Sequence, residues 1–196
     1  MARLRLFIAV EIDAAVRQNV VSLQRTLGLA APSVKWVEPH NLHVTVLFLG
    51  EVEDRELHGL FKMLTKVCAK VAAFDLRLGG VGAFPTPRRP KTLWAGVTTG
   101  AEKLQGLYAA IEEPLIDLGS YRQEERAYTP HPTLGRVTGD DDGDALALAL
   151  ALELPKQTAW TGGQMEVTEL AIYTSESRKT GYEYTVVGRA PLAAGD

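Results

Sequence analysis

The apolar pattern of this 196-residue chain repeats at an offset of 88 residues. A strand-like run at residues 6–10 matches another at 94–98, and spacings of three and four residues then predict one helix in each half. The helical positions are Val16, Val20, Leu23 and Leu27 in the first half and Leu104, Tyr108, Ile111 and Leu115 in the second. A repeat of this kind favours two copies of one structural unit.

Further helices complete the two halves. A dense apolar stripe at residues 57–71 predicts a second helix in the first half. Residues 144–152, rich in alanine and leucine, are interpreted as its counterpart. Asp13 is well placed to cap the first helix of the chain. Pro114 is expected to end or kink the helix of the second half near Glu112, because proline cannot donate a helical hydrogen bond.

The predicted fold class is α+β. Strands are expected at residues 74–78, 165–174 and 182–187, the last after a turn at 179–181, so that each half reads β-α-β-α-β. Two such units predict a bilobal fold whose antiparallel sheets face a central cleft, with helices outside. Residues 1–196 are expected to form a single bilobal domain with halves at roughly 1–80 and 91–190. The glycines and prolines of residues 79–90 predict an irregular loop between the halves.

Each half carries one copy of a histidine–apolar–threonine–apolar pattern, at residues 43–46 and 131–134. Side chains alternate along a strand, so the histidine and threonine of one copy face the same way. Each copy offers an acid/base group beside a hydroxyl group. Two copies facing each other could supply a general base, a general acid and two contacts to a phosphate.

Other roles for the histidines are weaker. A lone histidine in this pattern is more often structural, whereas two copies at matching places of a repeat favour catalysis. A transition-metal site needs three or four ligands, and neither copy supplies a second good ligand nearby, so no metal is expected. His40 and His58 do not belong to such a motif and are predicted to lie on the surface. Strand parity places Phe48 opposite His43, in the core.

Two tryptophans and the charge balance add further constraints. Trp36 and Trp94 are predicted to pack in the core or between the lobes.

With 21 basic and 24 acidic residues, the net charge of −3 excludes nucleic-acid binding by bulk electrostatics, although one positive cleft would suffice for a phosphate. The cluster at residues 140–144 lacks the ligand spacing of a calcium loop and is interpreted as a solvated turn.

Cellular location is constrained by cysteine content and hydropathy. The single cysteine, Cys68, lies on an apolar helical stripe and cannot form a disulfide within the chain, which fits a reducing cytoplasm. No apolar stretch approaches the length that spans a membrane. We therefore expect a cytoplasmic protein without membrane contact, acting as a monomer.

The chain resembles the two-histidine phosphoesterase superfamily, and within it the bacterial and archaeal RNA 2′,3′-cyclic phosphodiesterases, once named 2′-5′ RNA ligases. The resemblance runs over nearly the whole chain, and the paired histidine motif is its most specific part. The matching segments are residues 6–10, 36–37, 41–50, 82–85, 88–90, 93–94, 131–136, 173–175 and 181–184.

The resemblance implies hydrolysis of a ribose 2′,3′-cyclic phosphate to a 2′-phosphate end, without a cofactor. It implies His131 as the base and His43 as the acid, although the residues alone do not decide between them. Thr45 and Thr133 would hydrogen-bond the non-bridging phosphate oxygens. The partners implied are RNA ends or small cyclic nucleotides. Ligation in reverse, through a 2′-5′ bond, would be a side activity of the same site.

Several arginines are less constrained. Arg136 follows the second motif and is a candidate phosphate ligand, but parity places it opposite His131 unless the strand end twists, so both orientations stay open. Arg88, Arg89 and Lys91 would either guide RNA toward the cleft or simply aid solubility.

Two other functions stay open beside the RNA phosphodiesterase. One is a sister enzyme acting on a cyclic ADP-ribose phosphate or a 2′-5′ oligoadenylate. The other is a binding module that keeps the cleft but has lost turnover. The intact pair of motifs weighs against the second alternative.

Overall fold

The strands of the protein form two antiparallel sheets. The computed structural model describes residues 3–117, 121, 123, 126–138, 153–178 and 181–195. In chain order, the strands and α-helices of these ranges are β1 (Arg3–Glu11), α1 (Ala14–Gly28), β2 (Val34–Trp36), β3 (His43–Glu53), α2 (Leu57–Cys68), β4 (Phe74–Thr86), β5 (Arg89–Thr99), α3 (Ala101–Asp117), β6 (Thr133–Val137), β7 (Thr161–Val167), β8 (Glu169–Arg178) and β9 (Gly181–Pro191).

Each sheet takes strands from both halves of the chain. The four-stranded sheet has the order β3-β1-β8-β9, and the five-stranded sheet has the order β2-β6-β5-β4-β7. All neighbouring strands are antiparallel. The predicted α+β class with antiparallel sheets is confirmed. Because β4 crosses to the five-stranded sheet and β8 and β9 cross to the four-stranded one, neither sheet is made by one half alone.

The predicted helical stripes are buried as expected. Helix α1 begins after Asp13, whose carboxylate accepts a hydrogen bond of 2.8 Å from the Val16 amide, so the predicted cap is confirmed. The inward residues of α1 are almost fully buried and pack chiefly against β7. Helices α2 and α3 also form where their apolar spacings predict them.

Helix α3 does not end near Glu112, so of the two outcomes expected there, an end or a kink, the end is wrong. It continues through Pro114 to Asp117. Leu115, one residue beyond the proline, is 5% exposed, and Ile111 is fully buried. Burial of this apolar face holds the last turn in place despite the hydrogen bond that proline cannot make.

The strand predicted at residues 165–174 is two strands in different sheets. Strand β7 pairs with β4, whereas β8 pairs with β1 and β9. The chain passes from one sheet to the other at Thr168. Burial alternates along β7, an edge strand, but is continuous from Leu170 to Thr174 in β8, which lies between two neighbours. The adjacent polar pair Thr168 and Glu169 marks this change.

The irregular loop predicted at residues 79–90 is instead most of a β-hairpin. Strands β4 and β5 pair as far as Thr86 and Arg89. Gly82 lies opposite Trp94, and a Cβ atom there would be 2.2 Å from the indole ring, so glycine makes room for an aromatic side chain. The β4–β5 ladder has register shifts between Leu78 and Val81 and between Phe84 and Pro85, so the other glycines and prolines fit into the strands without ending them. The glycines therefore shape the strand without ending it.

Three predictions fall wholly or partly outside the described residues. The helix predicted at 144–152 and the acidic turn at 140–144 lie outside them, as do two of the three residues of the turn at 179–181. Strand β9 follows that turn and confirms the strand predicted at 182–187, extending it to Pro191.

Two glycine substitutions test the packing of the hairpin. A Cβ atom on Gly96 would lie 2.6 Å from the backbone oxygen of Gly79, and Gly79 is held by its pairing with Thr161 of β7. We expect Gly96→Ala to lower the free energy of unfolding by about 1–3 kcal/mol. Gly106, in α3, has nothing within 4 Å of its Cβ position, so Gly106→Ala should raise it by roughly 0.5–1 kcal/mol. Urea denaturation measures both, and a Gly96→Ala variant as stable as the wild type would contradict the packing described.

Candidate active site

The two histidine motifs touch at an antiparallel bridge between Val44 and Pro132. These residues hold equivalent positions in the two copies of the motif, so the contact has local two-fold symmetry. Both are buried, and Val44 has no exposed surface. Alternation along each strand then turns the histidine and threonine of each motif away from the core and toward the cleft between the sheets.

Both imidazoles are held in the same way by the backbone. Nδ1 of His43 lies 2.7 Å from the carbonyl oxygen of Asn41, and Nδ1 of His131 lies 2.6 Å from that of Thr129. A carbonyl oxygen only accepts, so Nδ1 carries the hydrogen in both rings. In the neutral rings Nε2 is therefore the unprotonated nitrogen. Nε2 of His43 lies 3.0 Å from Oγ1 of Thr45 and accepts a hydrogen bond from that hydroxyl.

Aromatic side chains surround His43 and affect its charge. Its ring lies 4.8 Å from that of Phe7 and 5.3 Å from that of Tyr184, centroid to centroid. Burial lowers the pKa of His43 to about 4, against the hydrogen bond to Asn41, which raises it. A positive charge on His131 would lower the pKa of His43 further. His43 is therefore held neutral at neutral pH.

His131 is shifted in the same direction. Its ring contacts Phe84 and Trp94 at centroid distances of 5.1 and 6.0 Å. Burial lowers the pKa of His131, the hydrogen bond to the Thr129 carbonyl raises it, and the positive charge of Arg136 lowers it. The two imidazoles thus share a tautomer and a preference for the neutral state.

A β-bulge lies at the fourth and last residue of each motif. In the ladder between β1 and β3, Val46 has no partner. In the ladder between β5 and β6, Leu134 has none. A bulge adds one residue to a strand and so reverses the face on which the following side chains lie. The second residue after each bulge consequently lies on the cleft side.

Phe48 lies on the cleft side, so the prediction that it packs in the core is wrong. Its side chain is 56% exposed and lines the same cavity as His43. The signal in the sequence was the consecutive apolar pair Val46 and Leu47, both buried, which breaks the alternation of a regular strand. Counting alternate residues from His43 without allowing for that pair therefore assigns Phe48 to the wrong face of the strand.

Arg136 is the counterpart of Phe48 in the second copy, at the same distance beyond its motif. It also lines the cavity, because the bulge at Leu134 reverses its face. Of the two orientations that the sequence left open, the structure has the one directed toward the cleft.

The cavity has a volume of about 500 Å³, and we call it the histidine cavity. It brings together His43, Thr45, Thr133 and Arg136 of the predicted site. His131 is not among its described lining residues, but it precedes the Val44–Pro132 bridge and its charge acts on His43. Among its described lining residues are two arginines, Arg5 and Arg136, and no carboxylate. A protein of net charge −3 therefore has a locally positive cleft suited to an anion.

Two side chains that the sequence reasoning missed support the motif strands. The hydroxyl of Tyr128 donates a 2.8 Å hydrogen bond to the carbonyl of Thr45, linking the approach to the second motif with the first. Nε2 of Gln24 donates a 2.8 Å hydrogen bond to the carbonyl of Leu134, the bulge residue. Gln24 stands on the apolar stripe of α1, and this polar interruption could have revealed it. No pattern marks Tyr128.

The remaining predicted residues occupy simpler places. His40 and His58 are exposed, as predicted. Trp36 is half-buried against the core, and Trp94 borders His131. The basic residues considered as RNA guides lie exposed around the end of the β4–β5 hairpin, and none lines the histidine cavity: Arg88, Arg89 and Lys91.

Two further properties concern metals and membranes. Within the described ranges, no group of three or more His, Cys, Asp or Glu side chains is arranged to hold a metal ion. In the same part of the chain, no helix is both long and apolar enough to cross a membrane.

Comparison with known proteins identifies the family. The model of the 2′-5′ RNA ligase superfamily matches residues 12–179. The chain belongs to this superfamily. A relative from Methanothermobacter thermautotrophicus, named RNA 2′,3′-cyclic phosphodiesterase, is 33% identical over 183 residues, which cover 93% of this chain and 96% of that protein. A relative of the same name from Archaeoglobus fulgidus is 34% identical over 172 residues, 88% of this chain and 91% of that protein. The predicted family and enzyme class, a phosphodiesterase, are confirmed.

Solved structures share the fold of this superfamily member. A crystal structure of a Thermus thermophilus protein matches with a TM-score of 0.80 and 26% identity, covering 98% of this chain and all of that one. The crystal structure of E. coli LigT complexed with 3′-AMP matches with a TM-score of 0.79 and 24% identity, covering 97% and 99% of the two chains. The second match bears on the fold alone.

The lowered pKa of His43 predicts how stability depends on pH. Between about pH 4 and the ordinary histidine pKa of roughly 6.5, the unfolded chain binds a proton at His43 that the folded chain does not. The free energy of unfolding should therefore fall as the pH falls through this window, and less steeply in His43→Gln. Urea denaturation at pH 7, 6 and 5 measures the slopes, with the exposed His40→Gln as the matched control. Equal slopes in wild type and His43→Gln would contradict the burial of this imidazole.

Proposed function

We propose that this protein hydrolyses RNA 2′,3′-cyclic phosphate ends to 2′-phosphate ends, using His43 and His131 and no metal ion. The observation that carries the proposal is the pair of imidazoles that flank the Val44–Pro132 bridge, each held by the same hydrogen bond from Nδ1 to a backbone carbonyl. The cavity lined by His43 has two arginines and no carboxylate among its described lining residues. The names of the relatives support the choice of substrate. Two imidazoles can carry both proton transfers, and the arginines can carry the charge of the phosphate.

His131 acts as the base in this proposal, and His43 as the acid. Nε2 of His131 takes a proton from water as the water oxygen attacks phosphorus. The bond from phosphorus to the 3′ oxygen breaks, and Nε2–H of His43 gives its proton to that oxygen. A 3′-hydroxyl and a 2′-phosphate remain, and proton exchange with solvent restores both rings. Burial and the charge of Arg136 lower the pKa of His131, so its Nε2 is unprotonated and able to accept a proton.

The acid role of His43 depends on the substrate. With a pKa of about 4, the ring is neutral at neutral pH. An anionic phosphate beside it would raise the pKa of His43, so that Nε2 becomes protonated when the substrate binds. Protonation also changes Thr45. Once Nε2 carries the hydrogen intended for the 3′ oxygen, it no longer accepts a hydrogen bond from Oγ1 of Thr45, so the hydroxyl hydrogen is free for a non-bridging phosphate oxygen. Proton uptake and phosphate binding therefore support each other.

Phe48 would hold the base of the terminal nucleotide. Its ring is exposed toward the histidine cavity and lies 5.9 Å from the ring of Phe7, centroid to centroid. An aromatic face stacks on any base, which gives binding without strong sequence preference. Thr133 and Arg136 complete the contacts to the phosphate in this arrangement, and Arg5 adds positive charge to the same cavity.

Two accompanying properties belong to the same proposal. By microscopic reversibility, the two histidines would also join a 2′,3′-cyclic end to a 5′-hydroxyl end through a 2′-5′ bond, as a side activity. We take the protein to act as a monomer in the cytoplasm, where Cys68, buried and with a pKa raised to about 11 by that burial, stays an unreactive thiol.

Hydrolysis of 2′,3′-cyclic nucleotides in EDTA tests the proposal. We expect the wild type to release a 2′-phosphate product and His43→Ala or His131→Ala to lose about 10²–10⁴-fold in kcat, the usual effect of general acid–base catalysis. His58→Ala, which removes an exposed histidine of α2 outside the cavity, is the matched control and should keep the wild-type rate. Loss of wild-type turnover in EDTA would contradict metal independence, and full activity of both variants would contradict the two-histidine mechanism.

A further inference from the structure

A second cavity adjoins the histidine cavity. Its volume is about 490 Å³, close to that of its neighbour. The two cavities share a wall of five residues: Val37, Asn41, Arg136, Tyr182 and Tyr184. The cavities are therefore parts of one continuous groove, with Arg136 at the junction.

The adjoining cavity lies where the edges of the two sheets meet. One side follows the edge strand β2, and the other is the beginning of the edge strand β9. The side-chain amide of Asn41 donates a 2.9 Å hydrogen bond to the carbonyl of Tyr182 and so links the two sides. The groove thus runs from the histidines outward across both sheets.

The chemistry of the adjoining cavity is aromatic and cationic. The rings of Tyr182 and Tyr184 are nearly parallel, with an interplanar angle of 15° and centroids 6.4 Å apart, and Tyr182 is 50% exposed. Lys35, Arg136 and Arg178 line it, against two carboxylates. One of these, Glu183, is paired with Arg178 at 2.9 Å, and Arg178 also pairs with Glu176 at 2.6 Å. The remaining charged side chains of the cavity are Lys35 and Arg136, against Glu38. Exposed aromatic faces beside a cationic track are the features that bind single-stranded nucleic acid.

We propose that the adjoining cavity binds the nucleotide that precedes the cyclic end of an RNA strand. This inference rests on the proposed function of the histidine cavity. The 5′ oxygen of a terminal nucleotide held there is bonded to the phosphodiester of the preceding nucleotide, so the strand must leave by a neighbouring opening. The adjoining cavity offers Tyr182 to the preceding base and Lys35 and Arg136 to the connecting phosphodiester. The preferred substrate is then an RNA end, and a mononucleotide is the poorer one.

A comparison of two substrates tests this inference: adenosine 2′,3′-cyclic phosphate and the dinucleotide ApA with a 2′,3′-cyclic phosphate at its 3′ end. Stacking of one base corresponds to about 5- to 100-fold in binding, so the wild type should favour the dinucleotide in kcat/KM by about that factor. Tyr182→Ala should remove most of the preference, and Tyr182→Phe, which keeps the ring, should retain it. Lys35→Ala should reduce the preference, and added salt should reduce it further in the wild type than in Lys35→Ala.

The outcomes separate this inference from the proposed function. Lys62→Ala removes an exposed cation on α2, outside both cavities, and should leave the preference unchanged. Equal kcat/KM for the two substrates in the wild type, or a preference that survives both Tyr182→Ala and Lys35→Ala, would overturn the inference while leaving the histidine mechanism intact. Failure to hydrolyse either substrate would overturn the proposed function, and this inference with it.

Discussion

The antiparallel bridge between Val44 and Pro132 is the contact on which the rest of the site depends. It joins the middle residues of two motifs that lie in different sheets. Because these residues are buried against each other and side chains alternate along a strand, the histidines and threonines of both motifs face the cleft. The strands exchanged between the sheets hold this contact in place, because each sheet is built from both halves of the chain. One buried apolar contact thus positions the polar groups of both copies.

The surroundings of the two histidines disfavour the protonated, positively charged form of their imidazoles. Burial lowers the pKa of both imidazoles, and the charge of His131 acts in the same direction on His43, as does that of Arg136 on His131. Both rings therefore favour the neutral form, although the proposed chemistry needs one of them protonated. A phosphate anion in the cavity resolves this conflict, because it stabilises the charged form of each ring. The acid would then be generated only where it is needed. Hydrogen bonds from Nδ1 to backbone carbonyls fix the tautomer in advance, so no ring has to turn during the reaction.

The sequence predicted the repeated units and the paired motifs because both depend on local periodicity. It failed wherever one residue changed the parity of a strand. Counting alternate residues from His43 put Phe48 in the core, but the unpaired Val46 reverses its face. For Arg136 the sequence left both faces open, and the unpaired Leu134 gives it the one toward the cleft. The division of residues 165–174 between two sheets depends on which partners each part finds. We predicted a loop at Gly82 because glycine disfavours regular strands. Its role in the strand is to make room for Trp94, which is twelve residues away in sequence and becomes a neighbour only in the folded hairpin.

The most direct test of this account is the protonation state of the two imidazoles, followed by ¹⁵N NMR of their ring nitrogens with and without adenosine 2′-phosphate. A His40→Gln, His58→Gln background leaves only His43 and His131 to observe. At pH 7 the protein alone should show two neutral rings with the hydrogen on Nδ1, and the ligand should raise the pKa of both. Two rings that titrate near the ordinary histidine pKa of roughly 6.5 and do not respond to the ligand would contradict the account.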